Sequence, residues 1–270
     1  MLATALAFLA GLLIGSFLNV CIYRLPRDLS VARPSRSFCP ACEKTIAWYD
    51  NIPLVSYVLL AGRCRHCHER ISVRYPLVEA ATAAWFAWAV GVLGPVPDAF
   101  RWCAFGAILI ALVVTDFEAQ ILPDEFTLGG TVLGLVLSLF IPVRAGIAHV
   151  FLYDRGERMA SLGEAVLGAA VSSLVLWLLR WTYEKVRHRE GLGLGDVKMV
   201  AMIGAFLGLQ GVLFTIMVGS ILGTVVGLGF ILIARKNAAT YELPYGSFLG
   251  VAGLAVAMAM ALRFPAGFWI

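Results

Sequence analysis

The sequence predicts an all-α polytopic membrane protein of about eight transmembrane helices, interrupted near its start by a small cysteine-bearing loop domain. Three observations lead there. Sixty per cent of the residues are hydrophobic and 14% are charged, far from the balance of soluble domains. The apolar residues gather into runs close to the ~20 that a helix needs to cross the hydrocarbon core. Four of the six cysteines form two Cys-x-x-Cys pairs within one polar interval.

Taken in order, the runs cover residues 2–22, 77–93, 100–115, 126–143, 162–181, 197–209, 211–234 and 246–262. The division at Gln210 has the weakest punctuation. No positive cluster precedes the first run, and Gly11-Leu-Leu-Ile-Gly-Ser-Phe-Leu-Asn continues without an Ala-x-Ala exit, so a retained helix is expected rather than a cleaved signal. Nine Lys and Arg between residues 24 and 74 place that stretch in the cytoplasm and the amino terminus outside. Alternation then puts residues 116–125, 180–196 and 235–245 in the cytoplasm as well. Of the 21 Lys and Arg, only Arg101, Arg144, Arg155, Arg158 and Arg263 fall outside. This bias accounts for the net charge of +4; no basic stripe interleaved with aromatics calls for nucleic acid, and lipid is the expected surrounding. Three parts are expected: residues 1–25 as the first helix, 26–75 as the cysteine domain, and 76–270 as the polytopic remainder.

The pairs Cys39-Pro-Ala-Cys42 and Cys64-Arg-His-Cys67 are separated by 21 residues. Two such turns suit a tetrahedral zinc site, each presenting two thiolates at one edge. A redox pair or free thiols are the alternatives, and a reducing cytoplasm disfavours disulfides. Four thiolates would fill the shell and leave no position for water, so the zinc is read as structural, folding a loop too short for its own core. His66 and His68 could replace a ligand or be solvated. Cys21 and Cys103, in apolar runs, are expected to be buried small hydrophobes.

Asp116 and Asp196 stand at the ends of apolar runs, where a carboxylate costs roughly 2.5 to 3.5 kcal/mol on insertion scales and suggests function. Asp196 follows the glycines of Gly191-Leu-Gly-Leu-Gly195 and precedes a run, as an N-cap would; Asp124, after Pro123, invites the same reading. Asp116 follows its run and meets the unfavourable end of the helix dipole, so a cap cannot explain it. Two nearby aspartates that share a proton offer an explanation: one can activate water while the other donates to a carbonyl oxygen. Side-chain-free Gly191, Gly193 and Gly195 would let an extended peptide approach. Independent caps or carboxylates along an ion path are the alternative. With four histidines, no Gly-x-Ser-x-Gly, no His-Glu-x-x-His and no Walker loop, other catalytic plans lack support. Gly15-Ser-Phe-Leu-Asn19 has no histidine base nearby for a serine nucleophile and reads as helix packing through small residues.

Gly15-Ser-Phe-Leu-Asn-Val20, the two cysteine pairs, Asp50-Asn-Ile-Pro-Leu-Val-Ser-Tyr57, Gly62-Arg-Cys-Arg-His-Cys67, Arg74-Tyr-Pro-Leu-Val-Glu79, Asp116 through Leu122-Pro-Asp124, and Gly193-Leu-Gly-Asp-Val-Lys198 together resemble the bacterial type IV prepilin peptidases, bifunctional leader peptidases and N-methyltransferases. Leu243-Pro-Tyr-Gly-Ser-Phe-Leu249 looks like the last motif of that family, with Ser247 where proline is expected. The resemblance runs from Gly15 to Leu249. It implies that Asp116 and Asp196 are the catalytic pair of a Gly-x-Gly-Asp membrane aspartic protease, with Asp124, Gly193, Gly195 and Lys198 supporting. It further implies that the substrate is a prepilin or pseudopilin with a short basic leader, cut after glycine at the cytoplasmic face of the bacterial inner membrane. The new terminal residue, usually phenylalanine, is then methylated from S-adenosylmethionine. Residues 26–75 would be the methyltransferase-associated part and 76–270 the peptidase. Lys198 would tune the pair or anchor its helix. No Rossmann-type glycine turn marks the S-adenosylmethionine pocket; Asn19 and Glu79 are candidates by position. The 144–161 segment is longer than the resemblance leads one to expect and reads as a tolerated insertion. The competing expectations are a noncatalytic zinc-loop scaffold or transporter with carboxylates along a polar path, and a peptidase without methyltransferase activity.

Overall fold

The computed structural model describes residues 1–143, 146–152, 154, 156–188, 191–233 and 244–263. Arg144, Arg155, Arg189, Arg235 and Lys236, used above for charge topology, and the start of the last motif at Leu243 lie outside the described residues. The described helices are α1 (Leu2–Arg24), α2 (Val55–Leu59), α3 (Arg74–Leu93), α4 (Pro97–Ala119), α5 (Asp124–Phe140), α6 (Ile147–Leu152), α7 (Glu157–Arg187), α8 (Leu194–Ile233) and α9 (Tyr245–Arg263). Among the described residues there is no strand, only isolated antiparallel bridges.

Among the described residues, six helices are long and apolar enough to cross a membrane. This is two fewer than the eight expected, and two particulars account for the difference. α5 has 17 residues, and α8 is two helices meeting at Gly208, where φ is 72°. That break lies two residues before the expected division at Gln210, because glycine alone adopts this backbone without a Cβ penalty. The apolar stripes are inverted relative to a soluble protein. Leu6, Leu9, Leu13 and Phe17 of α1 are exposed, whereas Gly11, Gly15, Leu18, Asn19 and Ile22 are buried, as expected of a helix with one lipid-facing and one packed side.

The chain forms two compact units, Met1–Ala111 and Leu112–Ile270. In the first, α1 lies directly on α3. A Cβ at Gly11 would stand 2.6 Å from Ala83 Cα, and one at Gly15 would stand 2.7 Å from Glu79 Cα. This Gly-x-x-x-Gly spacing lets backbones touch where no hydrophobic force separates helix from lipid; the small-residue reading of residues 15–19 describes Gly15, and Gly11 extends the same contact one turn earlier. Gly15→Leu is expected to separate α1 from α3 and cost about 2–4 kcal/mol, read as a lower unfolding midpoint in detergent. An unchanged midpoint would count against this packing.

The second unit holds the end of α4 and everything after it. α7 and α8 cross at Gly168 and Gly204, where a Cβ on either would meet the other's carbonyl oxygen. The break at Gly208 frees backbone donors, and the fully buried Glu164 takes one, accepting the Leu209 N–H at 2.9 Å. Its other oxygen accepts the Ala148 N–H at 3.0 Å. Ser161 Oγ accepts the Val143 N–H at 2.8 Å and donates to Ser138 O at 2.7 Å. The described part of the 144–161 segment is thus tied into the helices: buried backbone groups must find partners, and Ser161 and Glu164 supply them.

Candidate active site and metal centre

In the first unit both cysteine pairs adopt the same turn. The first cysteine's N–H donates to the carbonyl five residues on (Cys39 to Lys44, 3.0 Å; Cys64 to Glu69, 2.9 Å). The amide four residues on returns to its carbonyl (Glu43 to Cys39, 2.8 Å; His68 to Cys64, 3.0 Å). Glu43 and His68 take φ of 58° and 59°, and bridges Phe38–Thr45 and Arg63–Arg70 close the turns. The four sulfurs lie within 4.8 Å of one another, with Cys39 and Cys67 at 3.8 Å. Sulfurs ~2.3 Å from a tetrahedral centre stand about 3.8 Å apart, so the set fits a metal ion. His66 and His68 are not in this group. The Cys67 and His66 amides pull the Cys64 thiol down to about 7. At Cys67 the Glu69 amide favours the thiolate, but desolvation and the neighbouring thiols outweigh it and push the group up to about 12. Four adjacent thiols cannot all ionise without a cation among them, so metal binding here releases protons.

Around this loop the chain is held by charged groups. Arg24, 4% exposed, donates to the carbonyls of Ser30, Val31, Pro34 and Arg36. Arg65, inside the second pair, grips Asp50 with bonds of 2.7 and 2.6 Å, and its guanidinium holds the Asp50 carboxyl below the usual range. A cavity of about 390 Å³ opens here, lined among others by Asn19, Cys39, Asp50, Tyr57, Cys64 and Glu79. Glu79 Oε2 accepts the Leu54 N–H at 2.8 Å. Asn19 Nδ2 donates to Tyr75 O at 3.0 Å and Gly15 O at 3.3 Å, which leaves Asn19 Oδ1 buried without a partner. Asn19 and Glu79, singled out by position alone, thus line one cavity.

The second unit gathers the carboxylates. Asp116 is 5% exposed and lies three residues before the end of α4. Its Oδ2 accepts the Ser247 N–H at 2.5 Å and the Ser247 Oγ–H at 2.8 Å. Ser247 belongs to the first turn of α9, so the carboxylate at the unfavourable end of one helix sits at the favourable end of another. Asp196 is the third residue of α8 and takes a hydrogen bond from the Gly193 amide just before that helix. This is the returning half of a capping box, so the cap reading of Asp196 is met in part. A Cβ at Gly246 would stand 3.0 Å from Asp116 Cγ and 3.1 Å from Leu122 Cδ1, and one at Gly195 would stand 3.1 Å from Leu122 Cβ. The starts of α8 and α9 therefore close on Leu122 from two directions, and the charge of Asp116 acts on Asp196. Tyr245, whose hydroxyl is 3.1 Å from Ser220 Oγ, also feels Asp196.

Asp124 is not a cap. Pro123 holds the N-cap position of α5, and the Asp124 carboxylate takes Lys198 Nζ at 2.7 Å instead. Lys198 spends its charge on this half-exposed pair, which joins the starts of α5 and α8. Ser247, Tyr245, Ser220 and Leu122 went unassigned in the sequence, although Ser247 was visible as a departure from proline.

Residues 9–92 match the bacterial peptidase A24 N-terminal domain, and residues 103–228 match the type IV leader peptidase family. The chain is 35% identical to a prepilin leader peptidase/N-methyltransferase of Aeromonas hydrophila, with 92% of this chain and 88% of the relative covered. An enzyme of the same description from Pseudomonas putida is 35% identical with the same coverage. A third, from Pectobacterium carotovorum subsp. carotovorum, is 36% identical over 90% of this chain and 88% of its own length. No solved structure matches the chain.

Proposed function

The chain belongs to the type IV leader peptidase family, and from that membership we infer that it removes the leader of prepilins and N-methylates the new amino terminus, with Asp116 and Asp196 as the proteolytic pair. The observation that carries the pair is that Gly195 and Gly246, at the starts of α8 and α9, both close on Leu122, with Asp116 packed against Gly246 and its charge acting on Asp196. One carboxylate takes a proton from water as the water oxygen bonds to the scissile carbonyl carbon, and the other gives its proton to the carbonyl oxygen. No acyl-enzyme forms. The substrate is a prepilin or pseudopilin with a short basic leader, cut after glycine at the cytoplasmic face, a side that the lysine and arginine bias supports for this end of the helices.

Cys39, Cys42, Cys64 and Cys67 would hold zinc, whose four thiolates leave it a structural part of the loop. Bound S-adenosylmethionine supplies an electrophilic methyl group to an amine nitrogen. The cavity bearing Glu79 and the unpartnered Asn19 Oδ1 fits it: its volume lies within the range of small-molecule sites. A buried carboxylate beside an open acceptor suits a ligand that carries positive charge and amine donors. Glu79 and Asn19 would orient that ligand, and the apolar lining would exclude water. Glu79→Gln is expected to weaken S-adenosylmethionine binding about ten-fold in calorimetry while leaving leader cleavage intact; an unchanged Kd would count against this site.

Mass spectrometry of a co-expressed prepilin tests the whole reading. Loss of the leader and gain of one methyl group are expected, and a pilin of unchanged mass would overturn it.

A further inference from the structure

We infer that Ser247 is a positioning residue that makes Asp116 the base of the pair and Asp196 the acid. The inference rests on the reading of these two aspartates as the proteolytic pair. Asp116 Oδ2 is the end point of two hydrogen bonds from one residue, the Ser247 N–H at 2.5 Å and Oγ–H at 2.8 Å. Both groups are buried, Asp116 at 5% exposure and Ser247 at 7%, so water cannot substitute for either donor. Two donors aimed at one oxygen suit an ionised carboxylate, which only accepts. Among the described residues, Asp196 has the single Gly193 amide. With Oδ2 occupied, Oδ1 is the oxygen of Asp116 left to act.

The attacking water gives one proton to Asp116 Oδ1 as its oxygen bonds to the carbonyl carbon, and Asp196 gives its own proton to the carbonyl oxygen. When the carbon–nitrogen bond breaks, the nitrogen leaves with the proton held on Asp116. Asp196 regains one from a hydroxyl of the tetrahedral intermediate, so the pair ends as it began. Ser247 Oγ also lies 3.1 Å from Val113 O. Its one hydroxyl proton serves Asp116 or Val113, so the hydroxyl can turn to Val113 once Asp116 has been neutralised. Proline, expected at this position from the family likeness, has neither an N–H nor a hydroxyl; both contacts belong to the serine of this chain.

The test compares purified wild type with Ser247→Ala, Ser247→Thr and Asp116→Asn on a synthetic leader substrate. Ser247→Ala keeps the N–H and loses the hydroxyl, so kcat is expected to fall about ten-fold with KM unchanged. Ser247→Thr restores the hydroxyl and is expected within about two-fold of wild type. Equal kcat for Ser247→Ala and wild type, a loss confined to KM, or no rescue by threonine would overturn the role of Ser247. Cleavage by Asp116→Asn at the wild-type rate would instead overturn the reading of the pair itself.

Discussion

Asp116→Asn and Asp196→Asn are each expected to leave prepilin uncut, with cleavage lowered by at least about a thousand-fold, while the protein still folds and inserts. Asparagine preserves volume, and its carbonyl oxygen can still accept from Ser247 at position 116 or from the Gly193 amide at position 196. What it cannot do is take a proton from water or give one to the carbonyl. The loss therefore falls on chemistry rather than on packing. Quantitative mass spectrometry of a prepilin incubated with each purified variant reads the effect. Cleavage near the wild-type rate by either one would remove that aspartate from the reaction. Methylation of an already trimmed pilin is expected to persist in both variants, because the cavity proposed for the methyl donor, lined by Asn19 and Glu79, lies in the first unit.

Cys39→Ser is expected to abolish metal binding at the four-cysteine cluster and, with it, methyl transfer. Zinc bound to a structural site is worth on the order of 10–16 kcal/mol in zinc-finger peptides, enough to decide whether a short loop keeps its turns. Cys39 and Cys64 also line the cavity that holds Asn19 and Glu79. Removing one ligand thus opens both turns and the cavity wall. Elemental analysis is expected to fall from about one zinc per chain to background, with methyl transfer failing before proteolysis does. An unchanged zinc content would refute the metal assignment.

The readable features were those set by neighbours along the chain. Cys39 with Cys42, and Cys64 with Cys67, fold into matching turns through bonds spanning four and five residues, and spacing alone announced them. Asp124 misled because proline followed by aspartate before a helix looks like a cap, and nothing local reveals that its partner, Lys198, stands 74 residues away. The break of α8 was misplaced by two residues because Gly208 is one of 27 glycines, and positive φ leaves no mark on composition.

The sequence by itself determined a multi-pass helical protein, its approximate spans, its four-cysteine cluster and the two carboxylates out of place beside hydrocarbon. Each of these follows from transfer free energies and short-range geometry that add up along a continuous stretch. Only the tertiary structure decided how Asp116 is held: by a serine 131 residues later in sequence, whose helix start offsets the unfavourable dipole of α4. That arrangement depends on which helix ends meet. In a membrane this is set by close packing at small residues and by the need to satisfy every buried donor, neither of which can be summed from local composition.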